Sequence, residues 1–200
     1  MRPQTPGVAY KQGSGGLPNG EATVRDLPDD SAISASGFSA VAVTSGAFRD
    51  ALGRFASGVT VVAALDSDAK PLGVTISAFC SLSLEPPLVL FCLDKDHPLA
   101  GALTPGAVLA VNVLAEDQEA LSRHFADSRG GRFGGIAHHS LANGCPALAG
   151  ALAVLTAAVE EVRPGGDHAV VIARVEDTRR GDGRPLLHFR GVYGRLAGPS

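Results

Sequence analysis

Beyond residue 44 the chain is cut by Gly, Pro and Asp into short runs rich in Val, Leu, Ala and Thr, with gaps mostly too short for more than a turn. "GVTVVAAL" (Gly58–Leu65), "PLVLFCL", "AVLAVNVL" (Ala107–Leu114), "HAVVIARVED" and "LLHFRGVYGRL" each have strand length and β-branched content. "ALAVLTAAVEEV" is ambiguous by period, since its Ala favours helix while its Val and Thr favour strand. The flanking turn signals, "RPGGD" among them, decide for strand. Short connections pair neighbours antiparallel, so about six strands predict a barrel or sandwich rather than a doubly wound sheet. Helices are few. Phe48, Ala51, Leu52 and Phe55 repeat with helical period behind Ser45 as N-cap. "HPLAGALTPG" tolerates Pro98 in a first turn, and "EDQEALSRHFA" sets Leu121 and Phe125 four apart behind acidic residues.

Bulk numbers narrow the class. The 200 residues are 45% hydrophobic and 18% charged, which suits one globular domain with a tail. Residues 1–44 are dominated by Gly, Pro, Ser and Asp without an apolar period, and are expected to be a disordered or extended arm; the folded domain is expected over 45–200. A net charge of −3 with scattered Lys and Arg, no Trp and two Tyr argues against nucleic acid. No apolar run approaches membrane-helix length and no secretory signal is visible, so a cytoplasmic protein is expected. Cys80, Cys92 and Cys145 form no CxxC pair, and the strand cysteines are expected to be reduced core residues.

The unusual chemistry lies in "GVTISAFCSLSLEPPLVLFCLD", Gly73–Asp94. Read as one extended strand, Thr75–Leu84 sends alternate side chains to opposite faces. Ile76, Ala78, Cys80, Leu82 and Leu84 then share one face, and Thr75, Ser77, Phe79, Ser81 and Ser83 the other. A merely solvated face would carry Lys and Glu. Short hydroxyls around one aromatic suit instead a flat ligand with polar edges. Familiar nucleotide, zinc and nucleophile motifs are absent, and "GGRFGG" lacks the spacing and the Lys of a phosphate loop. His138 and His139 read as solvated loop residues, and no metal site is nominated. His168 opens a strand after a Gly-Gly-Asp turn, where a histidine can donate to a ligand and titrate near neutrality; a surface turn residue fits equally well. By pattern alone Tyr193 reads as a packing aromatic.

The blocks "FRDALGRFASGVTVV", "GVTISAFCSLSLEPPLVLFCLD", "AVNVL", "GGDHAVVIARV" and "PLLHFRGVYGRL", in that order, resemble the flavin reductase-like family over about residues 46–197. This family comprises the small reductases of two-component flavin-dependent monooxygenases. The resemblance implies a six-stranded antiparallel split β-barrel with flanking helices, built as a homodimer. It implies FMN or FAD, bound non-covalently and reduced by NADH or NADPH, with reduced flavin passing to a partner monooxygenase. Thr75, Ser77 and Ser81, with the backbone around Ala78 and Ser83, match positions that contact the isoalloxazine edge or the flavin tail, and Phe79 shapes the pocket. Gly73 and Val74 belong to the same cofactor-binding block. Cys92, Leu93, Asp94 and Lys95 match the strand end beside the ribityl chain and phosphate. Asp167 and His168 match the turn near the nicotinamide, with His168 as the catalytic residue; Arg132 and Phe133 match a loop, and Tyr193 a late aromatic near the site.

Two departures stand out. Ala78 stands where many members carry a hydroxyl before the Phe, and His97-Pro98 where many carry Ser or Thr. The second leaves the phosphate contacts, and hence FMN against FAD, open. The expected reaction is hydride transfer from nicotinamide C4 to flavin N5, with the protein positioning the two rings. A non-catalytic flavin carrier, or a reductase of the same fold acting on another acceptor, are the alternatives.

Overall fold

A computed structural model describes residues 42–126 and 131–197. The expected tail therefore lies outside the described residues, apart from 42–44. In chain order the elements are α1 (Ser45–Leu52), β1 (Ser57–Gly58), β2 (Thr60–Leu65), β3 (Pro71–Ile76), β4 (Phe79–Leu84) and β5 (Pro87–Asp94). A 3-10 turn (Pro98–Gly101), β6 (Val108–Val113), α2 (Glu119–Phe125), β7 (Gly131–Arg132), β8 (His138–Ser140) and β9 (Pro146–Leu148) follow. The last elements are β10 (Ala153–Gly165), β11 (His168–Arg180), β12 (Leu187–Phe189) and β13 (Val192–Gly194).

The chain is mainly β with few, short helices. Eight strands form one sheet in the order β4-β5-β11-β10-β6-β2-β3-β7; β1-β12-β13 and β8-β9 form smaller sheets. Strand pairing in the large sheet is antiparallel throughout. The ambiguous run is indeed strand β10, held between β6 and β11 with register shifts at Thr156/Ala157 and Val159/Glu161.

β2 explains why several strands read as apolar on both sides. Val62 and Ala64 join a core with Leu72, Val74, Phe91, Leu93, Leu109 and Val111. Val61 and Ala63 join a second core with Leu114, Phe125, Phe133 and Leu186 on the opposite face. A strand covered on both faces has no solvent side to mark its period.

Three expectations need correction. Thr75–Leu84 is not one strand: β3 pairs with β2 up to Ile76, the chain bends at Ser77 and Ala78, and β4 pairs with β5 instead. The change of neighbour is sealed by Cys92 N–H donating to the Ala78 carbonyl (3.0 Å). A register shift between Ser81 and Ser83 breaks the alternation again, so the hydroxyls do not share a face. Cys80, expected in the core, is exposed on the edge strand β4. α1 is capped by Thr44 rather than Ser45, through the Ala47 amide (3.2 Å), and it buries no residue: Phe48 and Leu52 stay exposed, as does Phe55 beyond its end.

Candidate functional site

Where β3 gives way to β4, the chain opens onto a cavity of about 230 Å³ lined by Val74, Thr75, Ile76, Ser77, Ala78, Cys92, Leu93, Asp94, His97 and His168. The lining comes from strands at two separate places in the large sheet, β3 on one side and the adjacent pair β5 and β11 on the other. β3 and the bend contribute hydroxyls, the end of β5 contributes Cys92–Asp94, and β11 contributes His168, which lies opposite Asp94 in the ladder.

The β10–β11 turn is fastened at this rim. The Lys95 amide donates to the Asp167 carbonyl (3.2 Å), and the Lys95 ammonium donates to the Gly166 carbonyl. His168 Nδ1 lies 2.8 Å from the Asp167 carboxylate. The hydrogen bond from His168 holds the Asp167 carboxyl below its ordinary range, with the charges of His168 and Lys95 adding to it. Carboxylate and imidazole thus orient one another, and an Nδ1 that donates to Asp167 turns Nε2 into the free face of the ring.

His97 shapes the inner wall. Its Nδ1 accepts the Leu99 amide (3.1 Å) at the head of the 3-10 turn. The side chain is 9% exposed, and Nε2 has no hydrogen-bond partner among the described residues. Burial pushes the ring's pKa down, opposed by the negative charge of Asp94, so the neutral ring is favoured.

A second cavity of about 190 Å³ shares Thr75 and Ser77 with the first and is completed by Val59, Ser122, Ala126, His188 and Tyr193. Thr75 Oγ1 donates to the Ser122 carbonyl (2.7 Å), and the buried Ser122 hydroxyl pairs with Tyr193 OH (2.7 Å). The Arg123 guanidinium lies 4.9 Å from the Tyr193 ring centre, and His188 packs edge-on against that ring. Tyr193 is therefore both packed and cavity-lining.

Of the residues nominated from sequence, Val74, Thr75, Ser77, Ala78, Cys92, Leu93, Asp94 and His168 converge on the first cavity. Lys95 and Asp167 brace its rim, and Tyr193 lies on the second cavity. The others sit elsewhere. A Cβ on Gly73 would lie 2.8 Å from Phe125 and 3.1 Å from Phe133, so this glycine makes room for aromatic packing. Phe133 is buried against Phe125, with ring centres 4.8 Å apart. Arg132 pairs with Asp66 (2.7 Å) beside Leu72, at the far end of β3. Phe79 packs against the main core. Ser81 is exposed on β4, and the Ser83 hydroxyl accepts the Glu85 amide (3.2 Å) in the following turn. His97, Ser122 and His188 were not nominated. His97 had a visible signal, the departure at His97-Pro98; the other two depend on long-range packing that no local pattern encodes.

Fold and cavities together define a mainly β protein with a polar cleft at a sheet junction. Residues 52–197 match the family model described as flavin reductase like domain, and the chain belongs to that family. It is 45% identical over 155 residues to the reductase component of a 4-hydroxyphenylacetate 3-monooxygenase from Thermus thermophilus, covering 77% of this chain and 98% of that protein. To the reductase subunit HsaB of a flavin-dependent monooxygenase from Rhodococcus jostii it is 40% identical, covering 73% and 75%. Among solved structures, the NADH:FAD oxidoreductase SgcE6 of Streptomyces globisporus, in complex with NAD and FAD fragments, superposes with a TM-score of 0.72 at 36% identity, covering 76% of this chain and 92% of that one.

Proposed function

We propose that this chain is an NAD(P)H:flavin oxidoreductase that reduces FMN or FAD and supplies the product to a partner monooxygenase. The observation that carries the reading is the cavity at the β3–β4 bend, which gathers hydroxyls, a carboxylate, two imidazoles and strand-end backbone inside the family-matched segment. The residues present fit a flavin. Ser77 offers a hydroxyl to a polar ring edge, Thr75, whose proton goes to the Ser122 carbonyl, offers a lone pair, and the neutral ring of His97 lines the wall behind them. When bound, the flavin supplies a ring that accepts a hydride from the nicotinamide. The chain's own task is orientation and exclusion of water. His168, oriented by Asp167, is the catalytic candidate at the cavity mouth, positioning the nicotinamide or relaying a proton.

The relatives' names as monooxygenase reductase components support the partner, and the NAD and FAD fragments in the Streptomyces protein support the cofactors. In this reading residues 45–200 form one domain, and its long strands make the split barrel of the family. Leu82 and Leu84, 46% and 77% exposed on an edge strand, support a homodimer. A cytoplasmic setting would keep the three free cysteines reduced.

Titration with FMN and FAD, then addition of NADH or NADPH without oxygen, tests the reading. Bleaching of the flavin much faster than without protein is expected. Binding without bleaching by either donor would indicate a flavin carrier, and absence of binding would end the proposal. His168→Ala is expected to lower turnover more than flavin affinity; equal loss of both would remove His168 from its role.

A further inference from the structure

We propose that the cleft between the end of α1 and the tip of the β12–β13 hairpin binds a phosphate of the nicotinamide donor, held by Arg49 and Arg190. The inference rests on the reductase reading above, and it concerns two residues to which neither that reading nor the family resemblance gives a role.

The hairpin tip carries an arginine where its backbone favours another residue. The two loop residues, Arg190 and Gly191, have φ of 51° and 79°. Positive φ at both positions is what a type I′ turn requires, and Asn-Gly is the pair that suits it. An arginine in this left-handed region is uncommon. The Arg190 amide donates to the Gly53 carbonyl (2.8 Å), just past the end of α1. Asparagine would make that backbone bond as well, so the bond fixes the tip against the helix without accounting for the side chain. A residue kept in an unfavourable conformation at a fixed place points to a use for its side chain.

That side chain has a counterpart. Arg49, in the last turn of α1, lines the same cleft of about 340 Å³, together with Asp50, Gly53 and Gly191. Both arginines are exposed, and neither guanidinium has an ion-pair partner among the described residues. Asp50, the one carboxylate on the lining, lies 4.0 Å from Arg54 instead. The cleft therefore has a surplus of positive charge. A guanidinium also presents its N–H groups in a fork that matches phosphate oxygens.

The hairpin leads from this cleft to the site. Behind the tip comes the pair Phe189–Val192, and His188 and Tyr193, the next pair, line the second cavity. Two residues of strand span roughly 7 Å. A dinucleotide whose nicotinamide lies where the two cavities meet, at Thr75 and Ser77, is long enough to set a phosphate at the tip. No residue of α1 or of the hairpin lines the first cavity, so the phosphate is the donor's and not the flavin's. It is either the pyrophosphate, common to NADH and NADPH, or the 2′-phosphate of NADPH, and variants separate the two.

Calorimetric titration of NAD and NADP, the unreactive oxidised forms, into the protein with and without FMN reads binding apart from turnover. Arg190→Asn suits the turn, so its midpoint in urea should equal or exceed that of wild type. It is expected to weaken binding by about fivefold, the upper range for an exposed charge pair. Loss for NAD and NADP alike would place the pyrophosphate here, and loss for NADP alone the 2′-phosphate. Either loss should shrink as salt is raised, and Arg190→Lys should restore part of it. Arg49→Gln, on a different element, is expected to give the same pattern, and FMN affinity should stay as in wild type. Unchanged binding of NAD and NADP in both variants, an equal loss for FMN, or a loss that persists at high salt would each overturn the proposal. Wild-type protein that binds NAD or NADP, yet bleaches flavin with neither reduced donor, would defeat the reductase reading and leave the phosphate site to be judged by the variants. Wild-type protein that binds neither dinucleotide would overturn the site itself.

Discussion

The two ends of β3 carry similar sequence features and serve opposite ends. At Leu72–Gly73 the strand faces Phe125 and Phe133 and pairs with β7, and every nominated residue there is committed to packing or to an ion pair. At Thr75, and at Ser77 just beyond it, the packed pair Phe125 and Phe133 gives way to two cavities that both residues line. The family resemblance matches Arg132 and Phe133 to a loop by the site, yet here they belong to the packed end. The difference arises from α2: Phe125 fills one end of the strand's face, and Ser122, one turn earlier, presents only a carbonyl and a hydroxyl to the other.

The largest effect should come from breaking the packed end. A Cβ on Gly131 would lie 2.3 Å from the Phe125 ring and 2.9 Å from the Phe125 Cα, so backbone as well as side chain must yield. Gly131→Ala is expected to lose about 3 kcal/mol of stability in urea unfolding, and Gly73→Ala, which meets only rings, about 2 kcal/mol. Both should retain flavin affinity at temperatures where they are folded. Selective loss of flavin binding in a stably folded Gly73→Ala protein would return this glycine to the site.

How much of this was legible follows from the same contrast. Strand existence was read from composition and turn signals, because those are local. The ambiguous run 151–162 resolved as β10 for the reason given by its flanking turns. The break at Ser77–Ala78 was not legible, because nothing local says that the chain will leave β2 for β5. That break decides which hydroxyls count: Thr75 and Ser77 before it reach the cavities, while Ser81 and Ser83 beyond it ride on the edge strand. The exposure of Phe48, Leu52 and Phe55 was equally hidden, since helical period marks an apolar face without saying what covers it. The family resemblance gathered residues from both ends of β3 into one list, and only the packing separates them.

An intermediate effect should come from the junction. Ser122→Ala removes the partner of Tyr193 OH while leaving the carbonyl that Thr75 uses. A loss of about 1 kcal/mol is expected, and Tyr193→Phe should lose a similar amount. The double variant should be little worse than either single one, because both remove the same bond. Additive losses in urea unfolding would mean that the two hydroxyls act separately and that Tyr193 is held by Arg123 and His188 alone.

The smallest effect sharpens the comparison most, because it concerns a residue matched to the family's loop before the second half of the barrel. Arg132 reaches Asp66 from β7, and its hydrogen bond, with that of the Lys70 amide, holds the Asp66 carboxyl below its ordinary 3.8. A depressed carboxylate stabilises the fold above that value and loses its contribution as pH falls through the lowered one. Surface pairs of this kind contribute little, so Arg132→Ala should lower Tm by only about 1 °C at neutral pH. The difference from wild type should shrink as the solution is acidified below pH 3.8. Flavin affinity should not change, since Arg132 lines neither cavity. A clear drop in affinity for FMN, with Tm unchanged, would show that the packed end of β3 reaches the cofactor after all, and the division between the two ends would fail at this residue.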